Sequence, residues 1–277
     1  MPLQKTNTRI LLHVGFHKTG TSSLQDCLRL NRALLEPLWR VETLQANPAM
    51  RHATNAARDY SLSRDPEDLA LCQAHLAVWL GQIPRAPGQG LMISSEDFAG
   101  HMPGVGDLIR YDALAPILSA FVKIAGAVFG GDTEFSVLIT TRDPPSWLRS
   151  LYWQQSKGRL LTDDFDAFAA RLPDASDHAA MAQDLREGIA PWPVTLTALE
   201  EVKDRPLGPA ETILDLADLP SELRTQLIAS PLRNASPSGD LAAAYVALNR
   251  LGLASDLLKR RKEDLRQAAV SKPPQTR

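Results

Sequence analysis

Cysteine is almost missing from this chain: Cys27 and Cys72 are the only two among 277 residues, too few for a disulfide framework or a zinc-ligand cluster. Both stand in text that reads as helix, which makes them reduced core thiols and fits a cytoplasmic location. An excess of one charge is missing too, with 30 Lys+Arg against 32 Asp+Glu and a net charge of −2. Without a global basic field there is no general attraction for nucleic acid or anionic lipid, so any anion site must be local. No long hydrophobic run is present. Ile10 to Val14 is too short for the apolar region of a signal peptide, so export is not expected. Ala113 to Phe129 is interrupted by Pro116, Ser119 and Lys123, and its apolar residues fall on one helical face, as in a helix packed on a core rather than a membrane span. Internal repeats are absent as well.

What is present is an ordinary globular composition, 44% hydrophobic and 22% charged, able to bury a sizeable core. The length suits one α/β domain over residues 1–270, followed by a frayed tail at 271–277. Strands are predicted at Arg9–Val14, Gly90–Ile93, Glu134–Thr141 and Val194–Leu199. Helices are predicted at Thr21–Arg32, where Thr and Ser would cap the start, and at Pro66–Leu80, Ala113–Phe129 and Pro144–Lys157. Shorter helices follow at Asp163–Arg171, Asp177–Ile189, Ala210–Leu216 and Ser221–Ile228, and a helical region at Asp240–Ala269. The alternation of strand and helix implies a three-layer fold around a central parallel sheet of roughly five strands, with helical insertions. The segments 45–65, 97–111 and 158–180 read as variable loops. The run Lys259-Arg260-Arg261-Lys262 reads as a solvated helix face, given the acids beside it.

The segment Gly15-Phe16-His17-Lys18-Thr19-Gly20-Thr21-Ser22-Ser23 joins the first strand to the first helix. There, loop N–H groups and the free N–H groups of a helix start converge, and the helix dipole adds positive potential, so an anion is bound readily. Gly15 and Gly20 have the spacing of a nucleotide P-loop, but Thr21 follows Gly20 and the lysine precedes it by two residues, so the segment is not a Walker motif.

Lys18-Thr19-Gly20-Thr21-Ser22 resembles the 5′-phosphosulfate loop of the sulfotransferase family, Lys-Ser/Thr-Gly-Thr-Thr/Ser. Arg142, Pro144 and Ser150 resemble the family's 3′-phosphate motif, an arginine at a strand end with a serine eight residues later. The resemblance covers residues 9–157 best, and the segment Arg233-Asn234-Ala235-Ser236 is similar to the end of bacterial members. Two family features are missing: Ser23 stands where many members carry tryptophan, and no late Arg-Lys-Gly triplet is found. The resemblance implies a P-loop-like topology and a sulfuryl transfer from 3′-phosphoadenosine 5′-phosphosulfate to a hydroxyl of an acceptor, first a carbohydrate or other small metabolite. No metal, nucleic acid or membrane partner is implied. The donor carries about four negative charges, and the two motifs supply two cationic pockets for it.

Under that resemblance Lys18 stabilises the leaving oxygen, His17 and Thr19 to Ser23 hold the 5′-phosphate, and Arg142 with Ser150 holds the 3′-phosphate. Arg233 is either a further phosphate anchor or a turn arginine. Glu96, just past a predicted strand end, and His101, in a Gly/Pro-rich loop that is either a lid or a plain connection, are alternative general bases. Each has a plainer reading: a helix-start lysine, an ion pair of Arg142 with Asp143, a helix serine, a capping acid. His13 reads as a hydrogen-bonded core residue. Two other classes stay open, a P-loop-like nucleotide kinase and a non-catalytic nucleotide-binding module.

Overall fold

The computed structural model describes residues 7–44, 47–158, 160–231 and 239–270. Five parallel strands form one sheet in the order β2-β3-β1-β4-β5: β1 (Arg9–His13), β2 (Trp39–Thr43), β3 (Gly90–Ser94), β4 (Glu134–Thr141) and β5 (Val194–Ala198). His13 lies in register with Ser94 of β3 on one side and Leu138 of β4 on the other. From β1 the chain goes to β2 at one edge of the sheet, and from its neighbour β4 it goes to β5 at the other, the reversal that opens a crevice at the carboxyl ends of the strands.

Side-chain alternation divides the core between the two faces of the sheet. Ile10, Leu12, Ile93, Val137 and Ile139 point into the larger core. It is covered by α3 (Pro48–Ser63), α4 (Pro66–Gly81), α5 (Leu114–Phe129), α6 (Pro144–Ser156), the short α7 (Phe165–Ala170) and α8 (His178–Gly188). Leu11, Val41, Met92 and Leu138 point the other way, against α1 (Thr21–Leu30), the short α2 (Arg32–Leu35) and α10 (Glu211–Leu216). Two short helices, α9 (Leu199–Val202) and α11 (Ser221–Arg224), flank α10, and a helical pair, α12 (Gly239–Arg250) and α13 (Ser255–Val270), closes the described chain. The three-layer α/β architecture is as expected. Cys27 and Cys72 are buried free thiols, and burial pushes Cys72 up to about 12.

Several expectations need correction. β2 was missing from the predicted strands: it is five residues long, sits at the sheet edge, and interleaves Arg40 and Glu42, whose side chains pair with each other at 2.9 Å. Most of the expected loop 45–65 is α3, an alanine-rich helix whose start is fixed by Asn47, its side-chain oxygen accepting from Ala49 N–H, with Pro48 in the first turn. Neither Thr nor Ser caps α1. Its N-cap is Gly20 at φ +97°, without a side-chain bond, which leaves the first N–H groups of the helix for another acceptor. The final helical region is two helices that turn at Gly252, φ +61°. On α13, Leu258, Lys262 and Leu265 share the inward face, so Lys262 is buried while residues 259–261 remain exposed. Among the described residues no helix is long and apolar enough to cross a membrane. Arg233 and the tail 271–277 lie outside the described residues.

Candidate functional site

The loop after β1 is shaped by a column of buried polar groups. His13 is fully buried, with Nδ1 2.7 Å from Ser94 Oγ and Nε2 3.1 Å from Thr140 Oγ1, the structural role read for it. Burial pushes its pKa down to about 3, so the ring is neutral. Thr140 Oγ1 also meets Thr19 Oγ1 at 2.7 Å, and Thr19 Oγ1 donates to the Phe16 carbonyl. The Thr19 hydroxyl is thereby turned inward. A Cβ on Gly15 would lie 2.3 Å from Thr140 Oγ1 and 2.6 Å from Thr21 Oγ1, so only glycine lets the chain pass. Thr21 Oγ1 is itself buried with no hydrogen-bond partner. An unpaired buried hydroxyl at a helix start suits an incoming oxyanion.

Lys18 adopts φ +71°, a left-handed conformation that costs a non-glycine residue of order 1 kcal/mol or more. Bonds from three directions hold it. Trp147 Nε1 donates to the His17 carbonyl at 2.8 Å, the His17 N–H donates to Tyr111 Oη at 3.2 Å, and Arg142 Nη1 donates to the Lys18 carbonyl at 3.3 Å. The result points the Lys18 ammonium toward Gln154, whose Oε1 lies at 3.5 Å. Burial, and then the charges of Lys157 and Arg142, lower the Lys18 pKa, while Glu96 opposes them.

His17 is buried, with Nδ1 3.2 Å from Tyr111 Oη and Nε2 3.6 Å from Asp97 Oδ1. Burial alone would raise Asp97, but the His17 hydrogen bond and charge, with Arg58 and His101, hold its carboxyl below the usual range. His101 sits 3.4 Å from Arg58 Nη2 through Nδ1, and burial and the Arg58 charge lower its pKa. The loop it occupies is tied down at three points: His101 N–H donates to Ser61 Oγ, Gly104 N–H to the Leu108 carbonyl, and Gln155 Nε2 to the Pro103 carbonyl. A cavity of about 380 Å³ opens beside His101, between Ser61, Leu62 and Arg64 of the α3 end and Ile109 and Arg110.

The carboxyl ends of three neighbouring strands thus bring Lys18, Glu96 and Arg142 to one edge of the sheet. Glu96 opens the 3-10 turn Glu96–Ala99, and its Oε2 accepts from Gln25 Nε2 of α1 at 3.0 Å. Arg142 Nε donates to Ser146 Oγ at 3.0 Å rather than pairing with Asp143, which caps α6 through Ser146 N–H. Ser150 is buried on α6, Ser22 is exposed and Ser23 half-buried. The sequence reading missed Gln25, Tyr111, Asp97, Thr140, Trp147 and Gln154. Trp147 and Gln154, both on the predicted α6, were within reach of helical phase; the others depend on tertiary placement.

No model of a known protein family matches the chain, and no curated protein sequence does. Among solved structures, a sulfotransferase from Alicyclobacillus acidocaldarius is similar with a TM-score of 0.48 and 14% identity, over 86% of this chain and 91% of that one.

Proposed function

We propose that the protein is a sulfotransferase that moves a sulfuryl group from 3′-phosphoadenosine 5′-phosphosulfate to an acceptor hydroxyl, without a metal. The observation that carries this reading is the Lys18 loop: a glycine cradle at Gly15, an uncapped helix start at Gly20, a buried unpaired Thr21 hydroxyl and a lysine held in a strained conformation. Strain of that kind persists only where the surroundings over-determine it, and here they aim a cation along the loop.

In this reading the N–H groups of residues 18–23 and the Thr21 and Ser22 hydroxyls hold the 5′-phosphate, with His17 behind them. Arg142, supported by Ser146 and with Ser150 below it, faces the 3′-phosphate from the end of β4. The acceptor oxygen attacks sulfur, the bond from sulfur to the bridging oxygen breaks, and the electron pair on that oxygen meets the Lys18 ammonium. The acceptor's proton passes to Glu96, whose second oxygen is free of the Gln25 bond. His101 is the rival base. It lines the cavity beside α3 whereas Glu96 does not, so the two assignments place the acceptor differently. The acceptor is read as a carbohydrate or other small metabolite and the protein as a cytoplasmic one.

The test is turnover of sulfur-labelled donor with carbohydrate, phenolic and lipid acceptors, repeated with Glu96→Gln and His101→Ala. The expected result is transfer to one class, lowered roughly 10²–10⁴-fold in Glu96→Gln and less in His101→Ala. Donor-product binding without transfer to any acceptor would instead favour a nucleotide-binding module.

A further inference from the structure

The roles assigned so far leave out the far end of α6, where two ammonium groups meet on one amide. Lys18 Nζ and Lys157 Nζ both donate to Gln154 Oε1, at 3.5 and 3.0 Å, so their separation cannot exceed those two lengths laid end to end. Like charges that close repel. Among the described residues neither ammonium has a carboxylate oxygen within 4.0 Å; Glu96 acts on Lys18 from farther away. Burial lowers the pKa of Lys157 as well as that of Lys18.

Lys157 is exposed at the end of the helix, yet its side chain and backbone both have partners. Its ammonium lies 5.0 Å from the centroid of the Trp153 ring. The main chain on either side of it is pinned by the terminal helical pair: Lys262 Nζ donates to the carbonyls of Ser156, Lys157 and Gly158 at 2.8, 3.2 and 2.8 Å. Asn249 Nδ2 donates to the carbonyls of Ser156, Gly158 and Leu161 at 3.4, 2.9 and 2.7 Å. A cation fixed beside another cation, with an amide between them and no carboxylate, is an arrangement that an anion completes.

We infer that Lys18, Gln154 and Lys157 form a seat for one oxyanion, distinct from the phosphate positions at the amino end of α6. Gln154 lies ten residues beyond Pro144 on that helix, about 15 Å along its axis, and Lys18 reaches it from the loop whose carbonyl Arg142 Nη1 holds at 3.3 Å. The oxyanion comes from one of two sources, the outer oxygens of the donor's sulfuryl group or an acidic group on the acceptor. The donor source rests on the proposed function; the seat itself does not.

The experiment is calorimetric titration of the wild type, Lys157→Met and Lys157→Arg with 3′-phosphoadenosine 5′-phosphosulfate, with the desulfated 3′-phosphoadenosine 5′-phosphate, and with inorganic sulfate added to the desulfated complex. Met keeps the aliphatic stem over Trp153, and equal melting temperatures show that folding is intact. If the seat takes the sulfuryl group, Lys157→Met weakens the sulfated ligand about tenfold, leaves the desulfated one unchanged, and Lys157→Arg restores most of the loss. If it takes an acceptor group, both nucleotides bind as before and inorganic sulfate binding is lost in Lys157→Met. Equal weakening of both nucleotides, or no change in any titration, overturns the seat. Should the wild type bind neither nucleotide, the proposed function fails on its own, and the sulfate titration of the unliganded variants still decides the seat: loss in Lys157→Met supports it and no loss overturns it.

Discussion

Arg142 Nη1 donates to the Lys18 carbonyl at 3.3 Å while Arg142 Nε holds Ser146 Oγ at 3.0 Å. One guanidinium therefore joins the end of β4 to the loop after β1, so it serves the loop's shape as well as presenting charge at the sheet edge. Arg142→Ala is expected to weaken 3′-phosphoadenosine 5′-phosphate by about 1.5–3 kcal/mol, the range for a charge-assisted bond, and adenosine 5′-phosphate much less. Turnover should fall beyond the loss in binding, because Lys18 loses a support. Titration of both ligands checks this, and equal weakening would place Arg142 away from the 3′-phosphate.

Gly15→Ala puts a methyl group 2.3 Å from Thr140 Oγ1 and 3.0 Å from His13 Nε2. Both neighbours are buried and hydrogen-bonded, so the loop must move instead. The expected cost is about 1–3 kcal/mol of stability, with weaker binding of 3′-phosphoadenosine 5′-phosphate. A variant that melts lower yet binds as tightly as wild type would detach the loop from ligand binding.

Acid should destabilise the fold through two buried imidazoles. Burial lowers His13 to about 3 and His178 to about 4 from 6.5. Below pH 6.5 the unfolded chain takes up protons that the folded chain refuses, so stability falls with pH, by about 1.4 kcal/mol per unit per group. The loss levels off near the folded values. His178 stacks on Phe16 at 4.5 Å and its Nε2 is buried without a partner. His178→Phe is therefore expected to hold or raise stability at pH 7 and to flatten the slope between pH 6.5 and 4, as chemical denaturation across pH would record.

Lys262→Met removes the donor from three carbonyls that end α6. The cost expected is about 1–3 kcal/mol in denaturant unfolding, and Lys157 loses its fixed position with it. Unchanged stability would mean that other donors take over those carbonyls.

Much of this fold was legible because the signals are local. β4 is bounded as expected, at Glu134–Thr141, by a run of β-branched and apolar residues, and α4 starts at Pro66 after a capping Asp65. The Lys18 loop could be placed because strand, glycine and helix start are adjacent in sequence. What escaped depends on distant partners. Arg40 and Glu42 look like surface residues until their mutual pairing at a sheet edge is seen. Tyr111 and Asp97 come to His17 from 94 and 80 positions away, and no spacing rule predicts such a meeting. Lys262, one of four consecutive basic residues, differs from its neighbours only by helical phase. The Asn47-Pro48 start of α3 and the alanines behind it were readable helix signals that the loop expectation for 45–65 passed over.

The most direct measurement is a calorimetric titration of the wild-type protein with 3′-phosphoadenosine 5′-phosphate in the presence of a metal chelator, set beside ATP with magnesium. The account predicts saturable binding of the 3′-phosphorylated ligand that chelator leaves intact, with thermal stabilisation of about 2.7 kcal/mol at a hundredfold excess over Kd. No binding of this ligand, alongside clear binding of ATP with magnesium, would contradict it.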